Sequence, residues 1–243
     1  MLFYNSFAEK SFKTCWYLIL IMRESNELTF RRNTRMIKTV LKINTKINQG
    51  VCTMAAITIF GKGNMGQAIG DVFTQGGNQV NFIDSKDTVE NLGEIVVLAV
   101  PYNAALSIAK ANQAVLAGKV VVDITNPLNF ETWDELVVPA DSSAAAQIAA
   151  ALPDSKVVKA FNTTFAATLK SRQVGDQQTT VMAASDDDTA KQTLAAALTD
   201  SGVAFVDAGS LKRARELESF GFLQMTLAAN EKIGWTGGFA VEK

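Results

Sequence analysis

The sequence predicts an α/β fold in which a doubly wound, mainly parallel sheet carries a small C-terminal helical part. Three observations predict this fold. A β-branched run at residues 57–60 meets glycines at G-x-G-x-x-G spacing, and a helix-compatible segment follows at once. Further short runs rich in Val and Ile have the composition of strands buried on both faces of a parallel sheet. Segments with helical periodicity separate these runs, which is the order of βαβ units.

The predicted elements alternate along the chain. The predicted strands cover residues 57–60, 79–83, 95–100, 119–124, 156–161, 179–184 and 203–206. The predicted helices cover residues 67–75, 102–117, 143–152, 187–200 and 211–230. Residues 85–94 are too few for a crossover helix with its loops, so at most one helical turn is expected there.

The glycine turn predicts dinucleotide binding. It joins a strand to a helix N-terminus, where backbone N–H groups and the helix dipole attract a pyrophosphate, and any Cβ at Gly63 would hold that ligand off. Asp84 ends the second predicted strand, and 17 residues separate it from Gly66, which is the interval expected for a ribose-binding acid. The alternative is a glycine-rich turn of purely structural use.

The composition excludes several classes of protein. The 243 residues include no histidine, which removes the commonest general base and transition-metal ligand. The two cysteines, Cys15 and Cys52, leave residues 54–243 without a thiolate nucleophile, a disulfide or a cysteine-ligated metal, which fits a reducing cytoplasm. Residues 54–243 carry 14 Lys or Arg against 21 Asp or Glu, an acidic balance that argues against nucleic acid. A bound cofactor is therefore expected to carry the chemistry, with no metal.

Residues 1–53 differ from the rest of the chain. They carry nine Lys or Arg against three Asp or Glu, and the apolar run Cys15 to Met22 is too short to cross a bilayer of about 30 Å. A signal peptide is disfavoured because no small-residue cleavage site follows that run. We expect residues 1–53 to be a poorly ordered leader or upstream translation before a natural start at Met54. Residues 54–243 are then one domain, with its helical extension from about residue 211.

Several predicted loops converge on one crevice, because ligands of doubly wound sheets bind at the carboxyl ends of the strands. The candidate dinucleotide-binding residues are Gly61, Lys62, Gly63, Asn64, Met65, Gly66, Asp84, Ser85, Lys86, Val100, Pro101, Tyr102, Asn126, Pro127 and Leu128. Asn162 and Thr163 follow a later strand and are candidates for facing the reacting ring; the alternative is a polar strand end that satisfies loop backbone. Phe222, Met225 and Trp235 are candidates for an apolar wall against a flat substrate, or else plain core or dimer surface. Arg215 and Glu218 lie three residues apart and are expected to pair with each other.

Four segments resemble the NADPH-dependent deazaflavin-coenzyme (F420) reductase family. They are ITIFGKGNMG at 57–66, VLAVPY at 97–102, KVVKAFNT at 156–163 and DAGSLKRARELE at 207–218. The resemblance covers nearly all of residues 55–240. The family is also similar, over its first half, to pyrroline-5-carboxylate reductase and to the cytoplasmic domain of metalloreductases. The resemblance implies a Rossmann-type domain that binds NADP(H) and exchanges hydride with a second redox carrier in the crevice. The identity of that small-molecule electron acceptor is left open.

The end of the second strand departs from the family pattern. Where the family often has a small residue before Ser-Arg, this chain has Asp84-Ser85-Lys86. Asp84 suits a ribose diol and repels a phosphate, whereas Ser85 and Lys86 offer a donor and a cation to a 2′-phosphate. NADP(H) is favoured, and NAD(H) is the alternative.

Two other functions remain open. One is a non-catalytic NADP(H)-binding redox sensor or regulatory module, which would bind cofactor without turnover. The other is an imine reductase of the pyrroline-5-carboxylate reductase type, disfavoured because that family needs a longer helical dimerisation domain than residues 163–243 provide. A homodimer is also left open.

Overall fold

The computed structural model describes residues 54–242, so the expectations for residues 1–53 lie outside the described residues. The strands are β1 Ala56–Phe60, β2 Gln79–Ile83, β3 Ile95–Leu98, β4 Val120–Asp123, β5 Lys156–Lys159, β6 Gln173–Val174, β7 Gln177–Gln178, β8 Thr180–Ala184 and β9 Ala204–Gly209. The α-helices are α1 Asn64–Gln75, α2 Tyr102–Ala111, α3 Gln113–Leu116, α4 Ala144–Ala151, α5 Ala166–Ser171, α6 Asp188–Ala197 and α7 Ala214–Ala229, and a 3-10 turn at Leu211–Arg213 precedes α7.

The described residues build a seven-stranded sheet in the order β2-β1-β3-β4-β5-β8-β9. The first five strands are parallel to one another, and β8 joins β5 in the antiparallel sense through the single pair Lys159↔Ala184. β9 is parallel to β8. The predicted doubly wound, mainly parallel Rossmann-type sheet is confirmed, and the carboxyl ends of β1 to β5 meet at one edge.

Both faces of the sheet are covered by apolar layers. On one face Ile69 and Phe73 of α1 pack with β1, β5, α5 and α6. On the other face Ala105 of α2 and Ile148 of α4 pack against β3 and β4. The central strands are buried on both sides, as in Val120–Asp123, so their valine runs fit a parallel sheet covered by helices.

Short polar side chains fix where two helices begin. Ser143 accepts the N–H of Ala146 at 3.0 Å at the start of α4, and Asp187 accepts that of Ala190 at 2.8 Å at the start of α6. The predicted helix at 102–117 is broken at Asn112 into α2 and α3, and the predicted helix at 211–230 opens with a 3-10 turn. Residues 84–94 contain turns and no helix, as expected.

One region was not predicted. Residues 162–178 were expected to contain no element, but they hold α5 and the β6–β7 hairpin. α5 ends at Ser171 and is followed by the C-cap residue Arg172, which has a left-handed backbone with φ 62°. The helix packs against α1. This helix adds a wall to the crevice at the carboxyl edge of the sheet. No helix within residues 54–242 is both long and apolar enough to span a bilayer.

Candidate functional site

The three glycines of the turn have different roles. Gly61 has φ +104°, and a Cβ there would clash with the carbonyl oxygen of Ala99; a Cβ at Gly66 would clash with the carbonyl of Gly61. The first and third glycines therefore serve the turn and the close packing of α1 on the sheet. Gly63 has φ −70°, which any residue adopts, and a Cβ there meets nothing within 4 Å. The protein itself imposes no steric requirement for glycine at position 63.

The N-terminus of α1 lies directly behind Gly63. Gly63 is the N-cap residue, and no side chain caps this end of the helix. The Gly63 carbonyl accepts the N–H of Gln67 at 2.9 Å, so the chain enters the helix without a break. The backbone N–H groups of the first turn and the positive end of the helix dipole can thus receive an anion beside an open Cβ position.

The loop after β2 turns the Asp84 carboxylate back on its own chain. Asp84 Oδ1 accepts the N–H of Ser85 at 2.7 Å. Asp87, which the sequence analysis missed, accepts the Asp84 N–H at 2.7 Å and lies 3.6 Å from the Lys62 ammonium. Lys86 is exposed and has no carboxylate partner among residues 54–242. The loop therefore offers the free cation Lys86 at the edge of the sheet, with Lys62 partly neutralised by Asp87.

A cavity of about 740 Å³ opens at the carboxyl ends of β3, β4 and β5. Its wall consists of Gly63, Asn64, Met65, Ala99, Val100, Pro101, Tyr102, Ile124, Thr125, Asn126, Phe130, Asn162, Thr164, Phe165, Ala166, Ala167, Lys170, Met225 and Trp235. The rings of Phe165 and Trp235 contact each other with centroids 5.0 Å apart. This main cavity is thus a mostly apolar and aromatic space that begins at the glycine turn.

Not all of the candidate residues line the main cavity. Pro127 and Leu128 are buried behind the β4 loop, Thr163 is buried beside the wall, and Phe222 is half-buried on α7 outside it. Gly61, Lys62, Gly66, Asp84, Ser85 and Lys86 belong to the turn and to the β2 edge beyond the cavity. The wall residues Thr125 and those of α5 were not among the predicted site residues. Thr125 was detectable as the first residue after the predicted strand 119–124, whereas α5 carried no clear signal.

Two amides join the ends of β4 and β5 to α7. The Asn162 side-chain amide donates to Asn126 Oδ1 at 2.9 Å and to the Leu217 carbonyl at 2.8 Å, while the Asn126 amide donates to the Asn162 carbonyl at 2.9 Å. Gly221 makes room for this pair, because a Cβ there would lie 2.5 Å from Asn126 Oδ1. α7 is thereby held against the crevice, which places Met225 in its wall.

Two buried oxygen atoms at the cavity lack hydrogen-bond partners among the described residues. They are Thr125 Oγ1 and Asn162 Oδ1, on side chains that are 4% and 5% exposed. A buried polar atom without a partner costs roughly 1–3 kcal/mol, so such atoms in native proteins point to a ligand or water. Thr163 Oγ1 is also buried without a partner in this part of the chain, but it does not line the cavity.

A buried ionic cluster lies beneath the β4 loop. The Lys159 ammonium is 2.8 Å from both Asp123 Oδ2 and Glu218 Oε1, and all three side chains are at most 1% exposed. Asp123 Oδ1 accepts the N–H of Thr125 at 2.9 Å, and the Lys159 ammonium donates to the Thr125 carbonyl. The cluster thus holds the backbone N–H and the carbonyl of Thr125, whose hydroxyl oxygen is one of the two without a partner among the described residues.

Glu218 does not pair with Arg215, so that expectation was wrong. Its carboxylate instead accepts the N–H groups of Ala144 at 2.8 Å and Ala145 at 3.2 Å at the start of α4. Burial raises the pKa of the Glu218 carboxyl, although Lys159 opposes the shift. Burial, together with the charges of Glu218 and Asp123, also raises the pKa of Tyr102 in the cavity wall. Tyr102 is therefore a neutral hydroxyl at neutral pH.

The fold and the glycine turn define a Rossmann-type protein of the dinucleotide-binding class. No protein-family model matches the chain. The F420-dependent NADP reductase of Methanocaldococcus jannaschii is 30% identical over 172 residues, which cover 69% of this chain and 77% of that protein. The chain belongs to the F420-dependent NADP reductase family of oxidoreductases, and the predicted resemblance is confirmed.

Solved structures support the same fold. A candidate F420-dependent NADP reductase from Arthrobacter sp. FB24 gives a TM-score of 0.67 at 22% identity and covers 78% of this chain and 100% of that one. A hypothetical protein from Sinorhizobium meliloti gives 0.56 at 25% identity, with 68% and 89% covered. The chain therefore spans the length of both structures almost completely.

Proposed function

We propose that the protein transfers hydride between NADP(H) and a deazaflavin carrier of the F420 type. The observation that carries this proposal is the main cavity, which starts at the open position of Gly63 and is lined by Thr125 and Asn162, each with a buried oxygen that lacks a partner among the described residues. The family relationship supports the same conclusion, because the Methanocaldococcus jannaschii relative is named for F420 and NADP.

The residues present fit a dinucleotide. Gly63 leaves the space that a pyrophosphate needs, and the N–H groups at the start of α1 supply its donors. Lys86 and Ser85 would hold the 2′-phosphate, and one oxygen of the Asp84 carboxylate, Oδ1, accepts the Ser85 N–H. NADP(H) supplies the hydride when it is bound. NAD(H) is the alternative cofactor, and the exposed Asp84 carboxylate would then accept hydrogen bonds from the ribose diol.

The chain's own residues bind the two reacting rings, orient them and exclude water from the cavity. The Thr125 hydroxyl can donate or accept a hydrogen bond, whereas Asn162 Oδ1 only accepts, so the two fix how a ring with polar edges enters the cavity. Phe165, Trp235 and Met225 provide apolar surface against such a ring. No general base is required, because stacking distance and orientation suffice for hydride exchange between two rings.

We propose that the catalytic unit is residues 54–243, that it lies in the cytoplasm and that it forms homodimers. Residues 54–243 contain no cysteine, which fits a reducing compartment. The C-terminal part exposes the large apolar side chains Leu223, Trp235 and Phe239, which are 50%, 49% and 42% accessible. A solvent-exposed apolar set of this kind is typical of a subunit interface, and sedimentation equilibrium measures the oligomeric state.

The two alternative functions are less well supported. Within residues 54–242, one 16-residue helix follows β9, which is short for the dimerisation domain of an imine reductase. A redox sensor would bind NADPH without oxidising it. The relationship to a protein named as a reductase favours an enzyme over a sensor.

The direct test is anaerobic oxidation of NADPH with F420, free flavins, quinones and ferric chelates as acceptors. We expect turnover with F420 and little turnover with ferric chelates, which accept one electron at a time. The variant Gly63→Val should show no turnover with any acceptor. NADPH binding by calorimetry without oxidation by any acceptor would favour the sensor and refute the proposed activity.

A further inference from the structure

The glycine turn and the loop after β2 are joined by an ion pair at the carboxyl edge of the sheet. The Lys62 ammonium lies 3.6 Å from Asp87 Oδ2, and the two side chains are 49% and 47% exposed. Lys62 follows β1 and Asp87 follows β2, which are neighbouring parallel strands. In doubly wound sheets the adenosine ribose of a dinucleotide binds at the end of the second strand, beside the glycine turn. The pair therefore lies at the edge of the sheet where that sugar binds.

Asp87 is fixed by its own loop. Its Oδ2 accepts the N–H of Asp84 at 2.7 Å, and its N–H donates to the Asp84 carbonyl at 3.0 Å. These two bonds close a turn whose central residues are Ser85 and Lys86, the candidate ligands of a 2′-phosphate. The hydrogen bond from Asp84 and the charge of Lys62 hold the pKa of the Asp87 carboxyl below its usual value. A negative charge therefore stands beside the residues that should receive a phosphate.

Lys62 has the opposite properties, because its backbone is held and its ammonium is held only weakly. The Lys62 carbonyl accepts the side-chain amide of Gln67 at 2.8 Å, which fixes the turn to α1. Asp87 is the one carboxylate partner of the Lys62 ammonium among residues 54–242. Their separation exceeds the length of about 2.7–2.9 Å of a charge-assisted hydrogen bond, and exposed pairs of this kind stabilise a fold little. The flexible stem of Lys62 can thus move to another anion without disturbing the turn.

We propose that Asp87 is a specificity residue that holds Lys62 in the free protein and releases it to the 2′-phosphate of NADP(H). Lys62 changes partner when NADP(H) binds and keeps Asp87 when NAD(H) binds. The exchange costs NADP(H) one ion pair, and the Asp87 carboxylate remains beside the phosphate as a like charge. Asp87 therefore weakens the binding of NADP(H) selectively and favours its release after hydride transfer. The proposal rests on the proposed function, because it assumes that NADP(H) binds at the glycine turn.

Calorimetric titration with NADPH and NADH tests the exchange, because the two cofactors differ only in the 2′-phosphate. Asp87→Asn is the informative variant, since its side-chain oxygen still accepts the Asp84 N–H while the charge is lost. At low ionic strength we expect this variant to bind NADPH about 3- to 5-fold more tightly than the unmodified full-length protein, the scale of one exposed ion pair. Its NADH affinity should not change, and high salt should reduce the gain in NADPH affinity.

Two further variants separate the release of Lys62 from simple repulsion. In a Lys62→Met background, Asp87→Asn should tighten NADPH by less than about 2-fold, because no lysine is left to be released. Asp187→Asn is the matched control, because Asp187 also accepts a backbone N–H, from Ala190, and pairs with a lysine, Lys156, at 3.3 Å. Lys156 begins β5, so this pair lies at the opposite edge of the sheet from the glycine turn. The control should bind both cofactors as the unmodified protein does.

The inference is overturned if Asp87→Asn leaves the NADPH affinity unchanged or weakens NADPH and NADH equally, since the carboxylate then only shapes the loop. An equal gain with and without Lys62 would also overturn it, because repulsion alone would explain that gain. Failure of the unmodified protein to bind NADPH would overturn both this inference and the proposed function. Tighter NADPH binding in Asp87→Asn, without oxidation of NADPH by F420, would instead refute the proposed activity and leave the role of Asp87 in place.

Discussion

Replacing Lys159 by Met should destabilise the protein strongly. Met keeps most of the length of the side chain but removes the ammonium that lies 2.8 Å from two buried carboxylates. Breaking a buried ion pair by removing one partner costs about 3–5 kcal/mol. Two acids lose their counter-charge here and the Thr125 carbonyl loses a donor, so we expect a loss of about 4 kcal/mol in the free energy of unfolding. For a domain of this size that corresponds to a fall of about 8–16 °C in Tm.

The loss should depend on pH in a defined direction. Burial already raises the pKa of the Glu218 carboxyl, and the loss of Lys159, which opposes that shift, raises this pKa further in the folded chain. A carboxyl with a raised folded pKa stabilises the fold at low pH and loses that stabilisation as the pH rises through the folded pKa. The variant should therefore be closest to the unmodified protein near pH 4–5 and fall further behind toward neutral pH. Urea denaturation followed by circular dichroism at pH 5 and pH 7.5 measures both values.

Lys156→Met is the matched control, because Lys156 lies on the same strand but forms a partly exposed pair with Asp187 at 3.3 Å. Such surface pairs contribute about 0–1 kcal/mol. The double variant Lys159→Met with Glu218→Gln should recover part of the loss, since it leaves only one buried carboxylate, and a double-mutant cycle measures the coupling. A loss in Lys159→Met that equals the control and does not change with pH would refute the account of the cluster.

Three further predictions concern the cofactor and the domain. Gly63→Val should abolish NADPH binding in calorimetry and change the free energy of unfolding by no more than about 1 kcal/mol, because its Cβ meets open space. Unchanged NADPH affinity in the folded variant would show that the glycine turn is not the cofactor site. Lys86→Ala should weaken NADPH by about 1.5–3 kcal/mol at low ionic strength and leave NADH nearly unchanged. Asp84→Gly should have the opposite effect and weaken the binding of NADH. If the unmodified protein binds NADH more tightly than NADPH, and Lys86→Ala changes neither affinity, NAD(H) is the cofactor. A chain that begins at Met54 should melt cooperatively at the Tm of the full chain, because the whole sheet follows that residue; a large fall in Tm would contradict it.

The parts of the fold that could be predicted are those with local signals. Valine runs identified β3, β4 and β5, and the glycine spacing identified the strand–turn–helix unit with Gly61 and Gly63 at its centre. α5 was missed because its six residues, AATLKS, show neither a charged first turn nor a clear apolar period. Helices that short are stabilised by packing rather than by their own sequence.

The site could be predicted only where it follows directly from strand ends. Asn126 and Asn162 each follow a strand, but their mutual hydrogen bond joins residues 36 positions apart and has no sequence signal. The Arg215–Glu218 pairing failed because local spacing was the only available guide, whereas Glu218 turns inward to the start of α4, 74 positions away. Burial decided that partner, and burial at this position depends on the packing of α7.

The buried cluster of Asp123, Lys159 and Glu218 also constrains how the sequence can change over evolutionary time. Each single loss removes several kcal/mol from a total stability of about 5–15 kcal/mol, whereas replacing a whole buried ionic set by apolar residues is often neutral or stabilising. Every one-step route from the charged set to an apolar one therefore passes through a poorly stable intermediate. In descendants of this sequence the three positions should change together, and a lineage that has acquired the full set should keep it.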